Sequence, residues 1–222
     1  MVGMSVDQVR EPAPTSPRRA QILREAAQLF AARGFHGVSV DEIGAASGIT
    51  GPGLYRHFRG KDAMLAELLV GISEQLLAGG RKRVDEAESA AARLDALVCG
   101  HIDFALNERA LIVLHDRDLA SLSDADQRRV RRLQRAYVEI WVDVVREAYP
   151  GFDDGAAASA AAPETSRDGE ARARAAVHAV FGLLNSTPHS AAVRGPRPPS
   201  PEAMGELLRT LALGAFAAAG AV

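Results

Sequence analysis

Apolar residues recur at intervals of three and four along most of the chain, the spacing of one face of a helix. The first run is Ile22, Leu23, Ala26, Leu29 and Phe30. It follows Ser16-Pro17, an N-cap with a first-turn proline, and stops at Gly34, so it predicts a helix ending near Arg33. Phe35 would pack back onto the same small unit. Val40, Ile43 and Ala46 then face inward on a short second helix. Ser39 and Glu42 stand three apart as a capping box, with Val38 and Ile43 as its hydrophobic staple. Ser47-Gly48 ends this helix, because Gly enters the left-handed region without steric cost. Ile49 anchors the turn and Thr50 caps a third helix, read as Gly51 to Phe58, with Pro52 in its first turn. Gly60 caps a fourth helix from Lys61, where Leu65, Leu68, Leu69, Ile72 and Leu76 form a stripe that Gly79-Gly80 weakens near its end.

The pattern continues through the second part of the chain. Leu94, Leu97, Val98, His101, Ile102 and Ala105 share one stripe, and Leu111, His115, Leu119 and Leu122 another, over 109–122. Both histidines therefore face the core, as hydrogen-bonded core residues or as polar groups in a cavity. Ser123 caps a long helix to about Tyr149 that buries Val130, Leu133, Tyr137, Ile140, Trp141, Val144 and Ala148. Arg128, Arg129, Arg131, Arg132 and Arg135 crowd its first half. They form either a solvated face or a receiver for an anionic ligand group such as the phosphates of a coenzyme A thioester. Residues 150–169, rich in Gly, Ala and Ser, read as a mobile loop. A helix from about Glu170 to Ser186 buries Val177, Val180, Phe181 and Leu184, and Pro188 ends it. After a Pro-rich loop, Ser200 caps the last helix, which starts at Pro201. Its stripe of Met204, Leu207, Leu208, Leu211 and Ala215 is widened by Leu213, Phe216 and several Ala, so it needs a second surface to bury.

These elements predict an all-α protein of about nine helices. Residues 1–15, polar with Pro12 and Pro14, read as a disordered arm; 16–62 as a three-helix unit; and 63–222 as a larger helical domain. Composition agrees: aromatics are only 5% and Ala is abundant, which favours helix over sheet. A formal net charge of −2 excludes a polyelectrolyte binder, but 1–62 carry a net +2 and the remainder a net −4. The single Cys99 fits a reducing cytoplasm. No apolar run reaches the roughly 18 residues of a membrane span, and the N-terminus lacks a secretory apolar core.

The third helix has the surface of a nucleic-acid reader. Gly51, Pro52 and Gly53 are too small to build a core and let the backbone approach a base edge. Leu54 and Phe58 lock the helix inward, which leaves Tyr55, Arg56 and His57 to reach phosphates or, for Arg56, bases. Lys61, in the next helix's first turn, adds a cation at a free N-terminus. Arg10, Arg18 and Arg19 follow a nucleic-acid backbone, enter a minor groove, or belong to a solvated tail. At this point the run from Gly34 to Leu65, SVDEIGAASGIT followed by LYRHFRGKDAML, resembles the DNA-binding domain of the tetracycline-repressor (TetR) family. With the 16–62 unit it belongs to, the resemblance covers about a fifth of the chain. It implies a helix-turn-helix that contacts a palindromic operator through Ser39, Thr50, Gly51, Pro52, Gly53, Tyr55, Arg56, His57 and Lys61. It also implies a homodimer joined by the last two helices of each subunit, and a small-molecule pocket in the larger domain. The pocket candidates are His101, Phe104, His115, Tyr137, Trp141 and Phe181.

Catalysis finds no purchase in this sequence. Cys99 has no base at suitable spacing. His101 and Asp103, two apart on a helix, point to different faces and make no metal pair. No Gly-rich phosphate loop follows a predicted strand, nothing resembles a nucleophile elbow, and Asp153-Asp154 lie in a loop. The expectation is therefore a regulator with no cofactor and no metal, most simply a repressor released by an apolar or amphipathic ligand such as an acyl chain or its coenzyme A thioester. A regulator without an inducer, and a helical enzyme or interaction module with a vestigial DNA-binding unit, remain as alternatives.

Overall fold

A computed structural model describes residues 16–154, 164–186 and 199–221. The expected arm over 1–15 with Arg10, the centre of the 150–169 loop and the Pro-rich segment after Pro188 lie outside the described residues. Every described element is helical: α1 (Pro17–Arg33), α2 (Val40–Ala46), α3 (Gly51–Leu54), α4 (Lys61–Glu86), α5 (Ala90–Asn107), α6 (Arg109–Asp118), a 3-10 turn (Leu119–Ser121), α7 (Asp124–Ala148), α8 (Gly151–Asp154), α9 (Glu164–Asn185) and α10 (Pro201–Gly220).

The predicted caps define where helices begin. Ser16, Thr50, Ser123 and Ser200 each accept a hydrogen bond from the backbone N–H three residues on, and so does Ser89 ahead of α5, a cap that the sequence pattern did not single out. Such a cap contributes about 1 kcal/mol. Ser39 and Glu42 complete the capping box in both directions. Gly34 and Gly48 end α1 and α2 with φ of 81° and 67°, conformations that a Cβ would strain.

Two cores share one long helix. The first collects Ile22, Ala26 and Phe30 of α1, Ile43 of α2, Leu54 of α3, and Leu65 and Leu69 of α4. It does not stop at residue 62, for Leu111 and Leu114 of α6 and Val130 of α7 belong to it too. The second core is built from α5, α7, α9 and α10 around Trp141, Phe152 and Phe216, with Leu77 of α4 packed in. Among the described helices, α4 has the length and hydropathy to cross a membrane, but its apolar residues are divided between these two cores.

Several expected boundaries and faces move. In α2 the inward side is Ile43, Gly44 and Ser47, and Ala46 is exposed. A Cβ on Gly44 would lie 2.9 Å from the Ile49 carbonyl oxygen, so close approach of α2 to the following turn selects glycine there. The third helix is one turn, not two. His57 and Phe58 N–H both bond to the Leu54 carbonyl, at 2.9 and 3.0 Å, and this tightening turns Phe58 into the core. Gly79-Gly80 does not weaken α4. A Cβ on Gly80 would meet Tyr137 Cε2 at 2.7 Å, so the missing side chain lets α4 and α7 pack closely. The sixth expected helix, over 109–122, splits into α6 and the 3-10 turn. Helix α9 starts at Glu164 rather than Glu170, and Gly169, read as loop, is buried within it; α9 also packs on α8. Residues 151–154 form the single turn α8, which places Phe152 in the second core.

Candidate nucleic-acid interface and interior cavity

The α2–α3 unit presents one continuous surface. Ser39, Thr50, Pro52, Tyr55 and Arg56 are exposed, Tyr55 at 59%, while Gly51, Gly53, His57 and Lys61 are half-buried. The hydroxyls of Ser39 and Thr50 already cap their helices, so a contact from either would extend an ordered group. The carboxylate of Glu42 is held down to about 2 by the Ser39 backbone N–H and hydroxyl and by Arg33. It stays ionised as the cap requires. Asp41 lies against Gly51, where a Cβ would collide with its carboxylate, which puts an acidic group beside the small-residue turn.

Three cations in this region hold the unit together. Lys61 Nζ donates to the Phe35 and Val38 carbonyls, both at 3.1 Å, and sits 4.7 Å from the Phe35 ring centroid. Its expected role at a phosphate thus meets a competing structural one. Arg18 donates to the Gly48 carbonyl at 3.2 Å, which ties α1 to the turn. Arg19 binds both carboxylate oxygens of Glu67 on α4, donates to the His57 carbonyl, and lies 4.0 Å over the Phe58 ring. Arg18 and Arg19 are therefore fixed by α2–α4 rather than trailing from a tail. No sequence signal distinguished these roles, since the accepting atoms are mostly backbone carbonyls.

The larger domain encloses a cavity of about 270 Å³ between α4, α5, α6, α7 and α9. Its walls include Ile72, Leu76, Phe104, Leu111, Val138 and Phe181. His101, Phe104, His115, Tyr137 and Phe181, all expected from the sequence, line it. Trp141 does not: it is fully buried behind the wall, edge-on to His101 and Phe181 with ring centroids 5.9 and 5.0 Å away. His115 is only half-buried, beside Gln134 and Asp116. Sequence reasoning missed Ser73, Gln134, His178 and Asn185. Asn185 ends α9 and reads along the chain as a boundary residue rather than a wall.

The polar part of the wall is ordered. His101 Nε2 lies 3.1 Å from Asn185 Oδ1 and Nδ1 lies 3.4 Å from the Tyr137 hydroxyl, while Phe181 stacks on the imidazole at 4.6 Å. Burial pulls His101 down to about 4 and pushes the Tyr137 hydroxyl up to about 12, so both are neutral near pH 7. Ser73 is buried and donates to the Leu69 carbonyl at 2.7 Å.

The arginine cluster divides in the structure. Arg129 pairs with Glu74, and Arg128 and Arg132 are exposed. Arg131 and Arg135 border a surface depression with Arg174, and this depression shares Gln134, Val138 and His178 with the cavity. Arg174 is itself paired with Glu139 and Glu170. The cavity mouth thus has a cationic edge.

Two further surfaces connect the cavity to the rest of the molecule. Helix α6 contributes Leu111, Ile112, His115 and Asp116 to the cavity wall and packs against α1. From α6, Arg117 donates to the Phe30 and Ala31 carbonyls at the end of α1, and buried Asp118 grips its guanidinium at 3.0 and 3.2 Å. On the opposite side α10 exposes Leu207 and Leu211, at 49% and 45%, along with Gly214, Ala215 and Ala218. Adjacent α9 exposes Ala171, Ala175, Ala179 and Gly182.

Among the described residues no three His, Cys, Asp or Glu side chains converge as a metal site. Burial pushes the Cys99 thiol up, which removes thiolate character.

Comparison with known proteins agrees with this geometry. Residues 22–68 match the bacterial regulatory proteins of the tetR family, and residues 87–199 match the tetracyclin repressor-like C-terminal domain. The HTH-type transcriptional repressor KstR2 of Mycobacterium tuberculosis (strain H37Rv) is 30% identical over 146 residues, 62% of this chain and 68% of that one. The structure of that organism's ketosteroid transcriptional regulator KstR2 superposes with a TM-score of 0.66 at 24% identity, over 92% and 97% of the two chains. A TetR-family regulator from Bordetella parapertussis gives a TM-score of 0.71 at 22% identity, over 89% and 95%. AibR, solved with isovaleryl coenzyme A and operator DNA, gives 0.66 at 17%, over 87% and 97%.

Proposed function

The chain belongs to the tetR family of bacterial regulatory proteins, and on that premise we propose that it is a homodimeric repressor released from a palindromic operator by an apolar or amphipathic small molecule. One observation carries this reading: a helix-turn-helix unit shares its core with α4 and α6, and the same two helices wall an apolar cavity. Each subunit would set α3 in a major groove, and two-fold symmetry would space the half-sites by one helical turn or a multiple of it. Tyr55, His57 and Lys61 position the backbone, while Gly51, Pro52 and Gly53 approach bases. Arg56, with Ser39 and Thr50, supplies the remaining polar contacts. Neither Gln nor Asn, the usual adenine readers, stands at the start of α3, so DNA shape contributes to specificity. The protein works in the cytoplasm, where its operator is.

Release follows from differential affinity. A ligand that fits the cavity better at one α4–α6 arrangement shifts the distance between the two recognition helices. The dimer forms through the exposed faces of α9 and α10. The ligand class we favour is an acyl thioester: an acyl group in the apolar interior and phosphates at the Arg131–Arg135 edge. AibR, a structural neighbour, carries isovaleryl coenzyme A, and a cavity of about 270 Å³ has room for a short or compact acyl group.

The test is retention of fragments of the source genome on the purified protein, followed by titration of the recovered site with isovaleryl coenzyme A and longer acyl thioesters. A palindromic site released by one of them is the expected result. Release by none would remove the thioester, and no enrichment at moderate salt would remove the operator reading itself. Tyr55→Ala should weaken binding to operator and nonspecific duplex alike, roughly tenfold for a lost phosphate contact. An altered base preference with unchanged nonspecific affinity would contradict that role.

A further inference from the structure

Three of the cavity's polar groups form a chain with two open ends, apart from Ser73, Gln134, His115, Asp116 and His178, which also line it. His101 is buried and in hydrogen-bond reach of Asn185 on one side and Tyr137 on the other. A neutral imidazole has one N–H and one acceptor nitrogen, so the chain runs in one of two directions. If Tyr137 donates to Nδ1 and Nε2–H donates to Asn185 Oδ1, the Asn185 amide N–H groups and the Tyr137 oxygen lone pairs are left over. If the amide is reversed, Asn185 donates to Nε2 and Nδ1–H donates to Tyr137, and the spare donor becomes the Tyr137 O–H. Each direction leaves at least one donor and one acceptor, and both Tyr137 and Asn185 line the cavity. Ser73 Oγ, its proton directed to Leu69, adds only an acceptor. No Lys or Arg side chain lines the interior, and Asp116 stands among its lining residues.

A carboxylate placed there would find hydrogen bonds but no permanent cation, only His115 and His178, which must first take up a proton, and a saturated hydrocarbon would cover the chain's open ends without satisfying them. An uncharged oxygen meets a partner in either direction. We propose that the end of the effector buried in this cavity carries a neutral oxygen, as a hydroxyl or ketone, read by the Tyr137–His101–Asn185 chain, so that an oxo- or hydroxyacyl thioester is preferred over isovaleryl coenzyme A, whose buried end is saturated hydrocarbon. This rests on the cavity being the effector site, and it assigns the specificity of that site to three named side chains.

Trp141, the only tryptophan, abuts His101 and Phe181 and reports occupancy by its fluorescence. The full-length protein is titrated with four probes of one chain length: 2-octanone, 2-octanol, octane and octanoate. The expected result is that ketone and alcohol bind at least about tenfold more tightly than octane, the worth of one desolvated hydrogen bond, and that octanoate binds weakest. In Tyr137→Phe and, separately, Asn185→Leu, the preference over octane should fall below threefold while octane itself still binds. Octane matching the ketone in the unaltered protein overturns the proposal without touching the cavity as a ligand site. Tighter binding of octanoate, or a preference that survives both substitutions, overturns it as well. Binding of none of the probes removes the cavity as effector site and the proposal with it.

Discussion

His101 holds an ionisable ring almost wholly withdrawn from water, and its cost is legible as a pH dependence. Its pKa falls from 6.5 to about 4 on folding because burial disfavours the imidazolium. Between those values the unfolded chain binds a proton that the folded chain refuses, so stability falls as pH drops from 6.5 toward 4 and then levels off. The full effect is about 3 kcal/mol. Denaturant unfolding of His101→Gln should therefore show a shallower loss between pH 6.5 and 4.5 than the unaltered protein; equal slopes would mean that His101 is not the group responsible. The same scale shows what a sequence can and cannot disclose about single residues. Ser39 and Glu42 were readable because both partners of the capping box lie three residues apart on one turn. Lys61 and Arg19 were not, because the carbonyls they bind, on Phe35, Val38 and His57, acquire their positions only when the chain folds. Asn185 belongs with them: its partner His101 is distant in the chain, and nothing local marks a helix-terminal amide as part of a cavity.

Helix propensity alone treats the glycines of α4 as equivalent, and their surroundings make them opposites. A Cβ on Gly71 would meet nothing within 4 Å, whereas one on Gly80 would press into Tyr137. Gly71→Ala should raise stability by about 0.5–1 kcal/mol through helix propensity. Gly80→Ala should lower it by about 1–3 kcal/mol through overpacking, with the two thermal midpoints moving in opposite directions. Helix α6 makes a second element-scale case. Periodicity located its apolar stripe, but not that Arg117 grips the last carbonyls of α1 while its neighbours line the cavity. Arg117→Gln should leave Trp141 quenching by isovaleryl coenzyme A within twofold. The ratio of operator affinities without and with that thioester should shrink about fivefold or more, the scale of a typical allosteric coupling. An unchanged ratio would return the whole of the coupling to α4.

For the whole molecule, the sequence pattern and the packing divide the chain at different places. The change from short to long helices is visible in the pattern. The border at residue 62 is not a border of packing, because Leu65, Leu69, Leu111 and Leu114 complete the first core from beyond it. Assembly can be tested independently of DNA. Leu211→Glu places a charge in the centre of the exposed α10 face and should yield a monomer by ultracentrifugation. Operator affinity should fall about a hundredfold or more, as two linked half-site contacts become one. A dimer unchanged by this substitution would move the interface elsewhere.

The continuity of α4 through both cores also bears on how such proteins can be recombined. A chimera spliced at residue 62 would keep every residue of the DNA-reading turn and still remove the floor beneath it. The junction that respects the packing falls near Ile72, inside a helix, and the graft must bring a compatible α6 surface. New sensing halves for this reader are therefore selected by whether they can supply the equivalents of Leu111, Leu114 and Arg117, and not by the ligand they recognise.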